Sequence, residues 1–538
     1  MNEIIKSFSE HGTFVQPKTL DYILSKKNPE KFTSYITKRL KEYPLVLTIE
    51  HIKDLEEVKN EGNLTKRIVD TIDDKTEINT LQKKSEKESR KPKTESEKKE
   101  GINKGKTSFN QKVKRWKPKS KEYDSEIEII KDVSGKSTCE GETRDFAKLF
   151  QNRYKTLRKI IQRQRREMAN IIPIKRINRG TSQEVQIAGL VKEVRNTKNG
   201  HRLIGIEDDT GEAICICLKN DKEVFEISQN VVLDEVVGIK GKLSKKGDLI
   251  LIKNIVFPDI SIQNQTNASS VPVCAAFLSD IHIGSKKFLA DEWKSFIKWI
   301  NGKLGNSRQR EVASRIKYLV LPGDLVDGIG IYPNQEKELS IKDIYKQYEE
   351  LARQLECIPD HISLIMQPGN HDAVRPAEPQ PTFDKEIQEL FSGKDITFVG
   401  NPCNFSLHGV EILSYHGQSL LDFSTNIQKL KYNEPVKIMR QMLKKHHLAP
   451  IYGGHTPIAP EHHDYMVIEN EPDIFVTGHV HLSTIDEYRG ITLINASSWQ
   501  DQTEYQKMKN FVPDPAKLPI ADLKNNNVTM MDFNRKKT

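Results

Sequence analysis

The sequence predicts a multidomain α/β protein. A layered α/β-sandwich domain fills the C-terminal half, a five-stranded barrel precedes it, and a small helical domain opens the chain. Three observations predict this. From Val271 onward, apolar β-prone runs alternate with helical patterns, as a layered α/β domain requires. Between about Gln183 and Pro258 the hydrophobic period is two, with Gly-marked turns. Before residue 70, apolar residues recur at spacings of three and four. At 538 residues the chain has room for two to four domains.

Residues 1–70 read as a helical N-terminal docking domain. Ile4, Ile5, Phe8 and Phe14, then Leu20, Ile23 and Leu24, then Tyr35, Ile36, Leu40, Leu45 and Val46, and finally Ile52 and Leu55 mark the buried faces. Pro17 and Pro44 punctuate them. Its polar residues form no cluster, so catalysis is not expected there. Residues 71–140 are dominated by Lys, Glu, Ser and Thr and read as a charged flexible linker. Its second half is basic (Lys104, Lys106, Lys112, Lys114, Arg115, Lys117, Lys119 and Lys121, with Trp116 among them). That pattern suits a solvated tether or a stretch brushing nucleic acid. Residues 141–180 hold a connecting helix whose apolar stripe is Phe146, Leu149, Phe150, Tyr154, Leu157, Ile160 and Ile161. Its other faces are basic, as in an ordinary surface helix.

Residues 181–262 give five strands with Gly turns, the longest connection following the third, and resemble an OB-fold barrel. Asn199-Gly200 is a hairpin turn. Phe225 and Phe257 are its only aromatics, so a structural or protein-binding barrel is expected rather than a base-stacking one. Cys215 and Cys217 lie in its third strand, one of them expected to face the core.

Composition limits the function classes. Hydrophobic residues are 36% and charged residues 30%, so a globular part is diluted by a solvated segment. The formal net charge of +9 admits a polyanionic partner without requiring one. None of the six cysteines forms a CxxC pair, which argues against a structural zinc motif and for reduced thiols in an intracellular, cytoplasmic protein. No secretory pattern opens the chain and no apolar run is long enough for a membrane span, so no membrane partner is expected.

The chemistry lies in residues 270–538. The run ending at Leu278 leads into Asp280-x-His282. Tyr318–Pro322 leads into Gly323-Asp324-x-x-Asp327, and Ile362–Met366 into Gly369-Asn370-His371-Asp372. Val410–Tyr415 leads into His416-Gly417, and Ile474–Thr477 into Gly478-His479-x-His481. Each strand ends beside a Gly, which lets the backbone turn and approach an ion closely. Asp, Asn and His without thiolate suit Mn²⁺, Mg²⁺, Fe²⁺ or Zn²⁺ in a five- or six-coordinate site rather than tetrahedral structural zinc. There are more donors than one ion holds. A carboxylate bridging two ions about 3.5–4 Å apart is the arrangement that hydrolyses phosphate esters.

These five motifs, in this order, resemble the calcineurin-like metallophosphoesterase superfamily, with the likeness covering about Pro272 to Trp499. The resemblance implies that Asp280, His282 and His481 hold one metal, that Asn370, His416 and His479 hold a second, and that Asp324 bridges them. It implies that His371 acts on the leaving oxygen with Asp372 orienting its ring. Asp327 either belongs to the site or caps the turn. The Asp at the end of the third motif, and the absence of Arg soon after Asp327, fit the nuclease branch of the superfamily better than its protein phosphatases.

Four longer stretches narrow the family. They are Asn370–Pro381, Val399–Cys403, His447–Glu461 and Asn495–Thr503. With the barrel and the helical N-terminus, they resemble the small, exonuclease subunit of archaeal family-D DNA polymerases. That implies a proofreading 3′–5′ exonuclease using two divalent ions, Mn²⁺ first among them. It implies a large polymerising subunit as heterodimer partner and DNA with a 3′ end as substrate. Arg375 then reads as a phosphate contact or as a surface cation. A non-catalytic scaffold subunit and a freestanding phosphoesterase are the alternatives.

Overall fold

The structure is a computed structural model; it describes residues 8, 14–15, 17–26, 28–39, 46–47, 52, 116–177 and 184–534. The chain divides into two units, residues 1–110 and 111–538.

In the first unit, strand β1 (Phe14–Val15) pairs in parallel with β2 (Val46–Leu47). Helices α1 (Pro17–Leu24) and α2 (Pro29–Arg39) each begin on a proline, whose missing N–H costs nothing in a first turn. Phe8, Ile23, Ile36, Leu47 and Ile52 form its core. The expected helical domain therefore carries a short strand pair as well. Ile4, Ile5, Leu40, Leu45 and Leu55 lie outside the described residues, as does the linker up to residue 115.

The second unit corrects the expected linker. Trp116 donates its indole N–H to the Arg310 carbonyl at 3.0 Å, and a 3₁₀ turn follows at Lys119–Glu122. Strand β3 (Ile127–Lys131) then pairs antiparallel as the edge of a sheet. Ile127, Ile129 and Ile130 make this short run β-prone although charged residues surround it. Of β3, Ile127 alone reaches the core between the sheets.

Helix α3 (Thr143–Gln164) starts in a reciprocal cap between Glu142 and Asp145. It is more than a surface helix. Tyr154, Leu157 and Ile161 pack against Ala188, Leu190 and Val236 of the barrel. Leu149 joins the core of the α/β domain. Arg153 is buried and donates to the Asp464 carboxylate at 2.7 Å and to the carbonyls of Asp234 and Pro450.

The barrel strands are β4 (Glu184–Asn196), β5 (Arg202–Asp208), β6 (Gly211–Cys217), β7 (Val236–Leu243) and β8 (Ile250–Val256), with helix α4 (Lys222–Ser228) between β6 and β7. They close in the order β4-β5-β6-β8-β7. Cys215 and Cys217 both face the core, because residues two apart on a strand share a face. Phe257 is buried and Phe225 packs against the same core, so neither is free to stack a base.

The α/β domain has strands β9 (Cys274–Phe277), β10 (Ile316–Pro322), β11 (Ser363–Gln367), β12 (Ile396–Phe398), β13 (Cys403–Leu407), β14 (Val410–Ser414), β15 (Ile474–Thr477), β16 (Ser483–Tyr488), β17 (Ile491–Ala496), β18 (Lys517–Asp522) and β19 (Val528–Asp532). One six-stranded sheet runs β12-β11-β10-β9-β18-β19 and the other β16-β17-β15-β14-β13-β3. Val273, Phe277, Tyr318 and Val320 meet Phe405, Ile412, Val476 and Ile494 between them. Helices α5 (Ala290–Ile300), α6 (Ser307–Arg315), α7 (Ile344–Leu355) and the short α8 (Lys385–Glu389) cover the first sheet through Trp293, Phe296, Ala313, Tyr348, Leu351 and Ile387. Helices α9 (Leu420–Asn426) and α10 (Pro435–Lys445) cover the second through Phe423, Ile438 and Met442. Central strands thus bury both faces, which is why they read as continuous apolar runs. Strands β9 to β12 are mutually parallel, as are β14, β15 and β17, and the C-terminal ends of β9, β10, β11, β14 and β15 carry the five motifs. Among the described residues, no helix is long and apolar enough to cross a membrane.

Candidate metal centre

All five motifs converge. Three neighbouring donor groups each lie within 4.8 Å internally: Asp280, His282 and His481; His282, Asp327 and His371; Asp324, His416 and His479. His282 Nε2 is 3.1 Å from His481 Nε2, and His481 Nε2 is 3.3 Å from the Asp280 carboxylate. His416 Nε2 lies 3.2 Å from Asp324 and 3.0 Å from the Asn370 side-chain oxygen. His479 Nδ1 is 3.3 Å from His416 Nε2. Asp324 also lies 3.9 Å from both His282 and His371, between the two sets of donors.

Sharp turns aim these side chains. Asp280, His282, Asp324, His479 and His481 all have φ between 50° and 67°, the left-handed region that costs a non-glycine residue on the order of 1–2 kcal/mol. Backbone bonds offset this: Asp280 N–H donates to the Gly323 carbonyl and His282 N–H to that of Asp324. Gly369 and Gly478 have no room for a side chain, since a Cβ would fall on Asp324 and His416 in the first case and on Ser279 and Asp280 in the second. Asn495 donates to Thr477 and Gly478 and fixes the end of β15.

The donors are electronically suited to cations. His282 Nδ1 faces the buried Asp327 carboxylate at 3.0 Å and His416 Nδ1 faces the Pro322 carbonyl at 2.9 Å. Each pairing leaves Nε2 as the inward lone pair, the tautomer a metal ligand needs. Burial raises Asp324, but His416, His371 and His282 outweigh it and hold its carboxyl well below the usual range. Burial lowers His416, yet Asp324 and then Asp280 drive it up to about 10. Burial and then the charge of His416 bring His479 down to about 3. Two buried carboxylates among inward-facing imidazoles, with no Lys or Arg paired to them among the described residues, form a set that fits divalent ions.

Two expected roles need correction. Asp372 does not orient His371. Its carboxylate is turned to the N–H groups of Leu325 and Gly369 and to the Tyr348 hydroxyl, so it ties the two ligand loops together. Burial and then Asp324 push it up to about 7. His371 is instead held through Nδ1 by the Asp327 carbonyl at 2.7 Å. Asp327 belongs to the site as the support of His282, not merely as a turn cap. Arg375 is not a phosphate contact either. Its guanidinium is spent on Glu461 at 2.7 Å, the Pro379 carbonyl and Ser137.

Sequence reasoning missed three glutamines. Gln500 donates to Asp327 at 2.8 Å, Gln335 donates to the Asp327 carbonyl at 2.7 Å, and Gln506 Nε2 lies 3.0 Å from His481 Nδ1. Only Gln506 had a legible signal: Thr503-x-x-Gln506 is the capping box of helix α11 (Glu504–Met508).

The comparisons agree with this architecture. Residues 275–486 match the family of the B subunit of DNA polymerase alpha/epsilon, and residues 185–263 match the OB-fold nucleic acid binding domain. The chain is similar to the DNA polymerase II small subunit of Methanocaldococcus jannaschii, 43% identical over 427 residues, covering 79% of this chain and 71% of that one. The namesake from Methanothermobacter thermautotrophicus is 44% identical, covering 74% of this chain and 82% of its own. That from Archaeoglobus fulgidus is 43% identical, covering 73% and 78%. With relatives this similar over most of both chains, the chain belongs to the DNA polymerase II small subunit family.

Proposed function

We propose that this chain is the 3′–5′ exonuclease subunit of a heterodimeric archaeal replicative DNA polymerase, with a calcineurin-like phosphoesterase domain over residues 270–538. In this reading residues 1–70 and 181–262 serve contacts with the large subunit and with DNA. The observation that carries it is the convergence of seven buried or half-buried donors on one spot around Asp324.

Asp280, His282 and His481 would hold one divalent ion and Asn370, His416 and His479 another, with Asp324 shared. Such ions, Mn²⁺ first and Mg²⁺, Fe²⁺ or Zn²⁺ compatible with the donors, would supply an activated water and neutralise charge on the phosphoryl oxygens. The chain's own residues orient and protonate. Asp327 and Pro322 fix the tautomers of His282 and His416. His371 is half-buried at the mouth, with Nδ1 engaged by the Asp327 carbonyl, and Nε2 is left to face substrate. It gives a proton from Nε2 to the 3′ oxygen of the shortened strand as the terminal nucleotide leaves.

The test is Mn²⁺-dependent degradation of a 5′-labelled, 3′-mismatched primer by wild type, His371→Ala and Asp324→Ala. A ladder shortening from the 3′ end, lost in both variants, is expected. Intact DNA with wild type, alone and with the large subunit added, overturns the reading in favour of a scaffold.

A further inference from the structure

The mouth of the metal centre is ringed by tyrosines that the proposed chemistry does not use. Tyr332 follows the Asp327 turn, and its carbonyl accepts from the N–H of Gln335, the residue that holds Asp327. Tyr505 precedes Gln506, which holds His481. These two segments, more than 170 positions apart in sequence, stack their rings with centroids 5.5 Å apart and planes 27° from parallel. Tyr505 remains 43% exposed, so the stack is open to solvent. Lys509 Nζ lies 5.7 Å from the Tyr505 ring centre. Tyr432 comes in from a third segment and packs at a tilt near Phe511, with centroids 5.9 Å apart. Its phenol is raised by burial and then by the charges of Asp280, Tyr505 and Asp324. Ile329, 46% exposed, stands in the same loop as Tyr332.

A core function does not explain this cluster. An aromatic pair built for stability is buried, whereas this one is carried on a short surface helix and a Gly-flanked loop and left open. Tyr332 and Tyr505 are carried on the same short segments as Gln335 and Gln506, which contact Asp327 and His481, so the stack lies beside the centre and within reach of a nucleoside whose phosphate is held there.

We propose that the exposed side of the Tyr332–Tyr505 stack is the seat of the 3′-terminal nucleobase, which it receives when that base is unpaired. The inference rests on the nuclease reading above and adds its selectivity. A base still paired is held in the duplex by its hydrogen bonds and by its stack on the 5′ neighbour, and must give both up to turn onto the rings. A frayed or mismatched base offers a free face, and each aromatic–base stack is worth about tenfold or more in binding without regard to sequence. Lys509 stands ready for the phosphate of the same nucleotide.

The test compares 3′ ends bearing a mismatched base with identical ends bearing an abasic sugar, using wild type, Tyr332→Ala/Tyr505→Ala and Tyr332→Phe/Tyr505→Phe. Wild type should cleave the base-bearing end with about tenfold higher kcat/KM than the abasic end. The double alanine variant should lose that preference, its kcat/KM on the base-bearing end falling to that on the abasic end. The phenylalanine variant should keep the preference. In EDTA, a 3′-terminal 2-aminopurine should be quenched by wild type and not by the alanine variant. Equal losses on both ends, or quenching that survives the double alanine change, overturns the seat. Loss of large-subunit association with an unchanged base preference also overturns it, by making the rings a protein contact. If wild type cuts neither end, the nuclease reading falls. The quenching then decides the seat: lost in the alanine variant supports it, absent in wild type refutes it.

Discussion

Asp327→Asn tests the role assigned to a residue that sequence alone left open. The Asp327 carboxylate is buried and its Oδ1 takes His282 Nδ1 at 3.0 Å and Gln500 Nε2 at 2.8 Å, while Oδ2 takes Gln335 Nε2 at 3.3 Å. Every partner of this carboxylate is a donor. Asparagine keeps the shape, removes the charge and brings an NH₂ to face at least one of those donors, so one hydrogen bond becomes a repulsion. His282 loses the carboxylate that fixes its tautomer and raises the basicity of its inward nitrogen. Loss of such an outer partner costs about 10–100-fold in metal affinity, or roughly 1.4–2.7 kcal/mol. Calorimetric titration of metal-free protein with Mn²⁺, wild type beside Asp327→Asn, measures this without any nuclease assay. Thermal melting in EDTA checks that the fold survives. A change in Kd under twofold, with the fold intact, would refute the claim that Asp327 works through His282.

Three further outcomes are expected. Arg153→Met leaves Asp464 as a buried charge without its main partner and should cost about 3–5 kcal/mol, read by urea unfolding, whereas Arg153→Met/Asp464→Leu should recover most of it. His447, buried against the same Asp464, is brought down to about 4 by burial and the Arg153 charge. Its unfolded form takes a proton below about 6.5 while the folded form holds out to about 4, so this group makes stability rise with pH across that window by up to about 3 kcal/mol. His447→Leu should flatten the rise in unfolding experiments between pH 4 and 6.5, and an unchanged slope would count against it. Gly478→Ala drives a methyl group onto Ser279 and Asp280, and Mn²⁺ binding should be lost at temperatures where circular dichroism still reports a folded chain.

What the sequence made legible follows the physics of burial. Strands β9, β10, β11, β14 and β15 bury both faces, so their apolar runs stand out and their polar tips stand out more. Strand β3 is β-prone in itself, with Ile127, Ile129 and Ile130, and was hidden only by the charged residues around it. Asp372 and Arg375 were misassigned because sequence adjacency says nothing about direction: Asp372 turns back toward Leu325 and Tyr348, and Arg375 meets Glu461, 86 positions away. The pair Cys215 and Cys217 was legible in principle, since a strand period of two sends both the same way. Gln335 and Gln500 carry no local pattern and reach Asp327 only through the tertiary fold.

The left-handed backbone at Asp280, His282, Asp324, His479 and His481 has a consequence for what drift would do to this chain. Glycine would relax each of these turns. Drift toward backbone comfort alone would lead to glycine at all five positions, each step also taking a donor out of the centre.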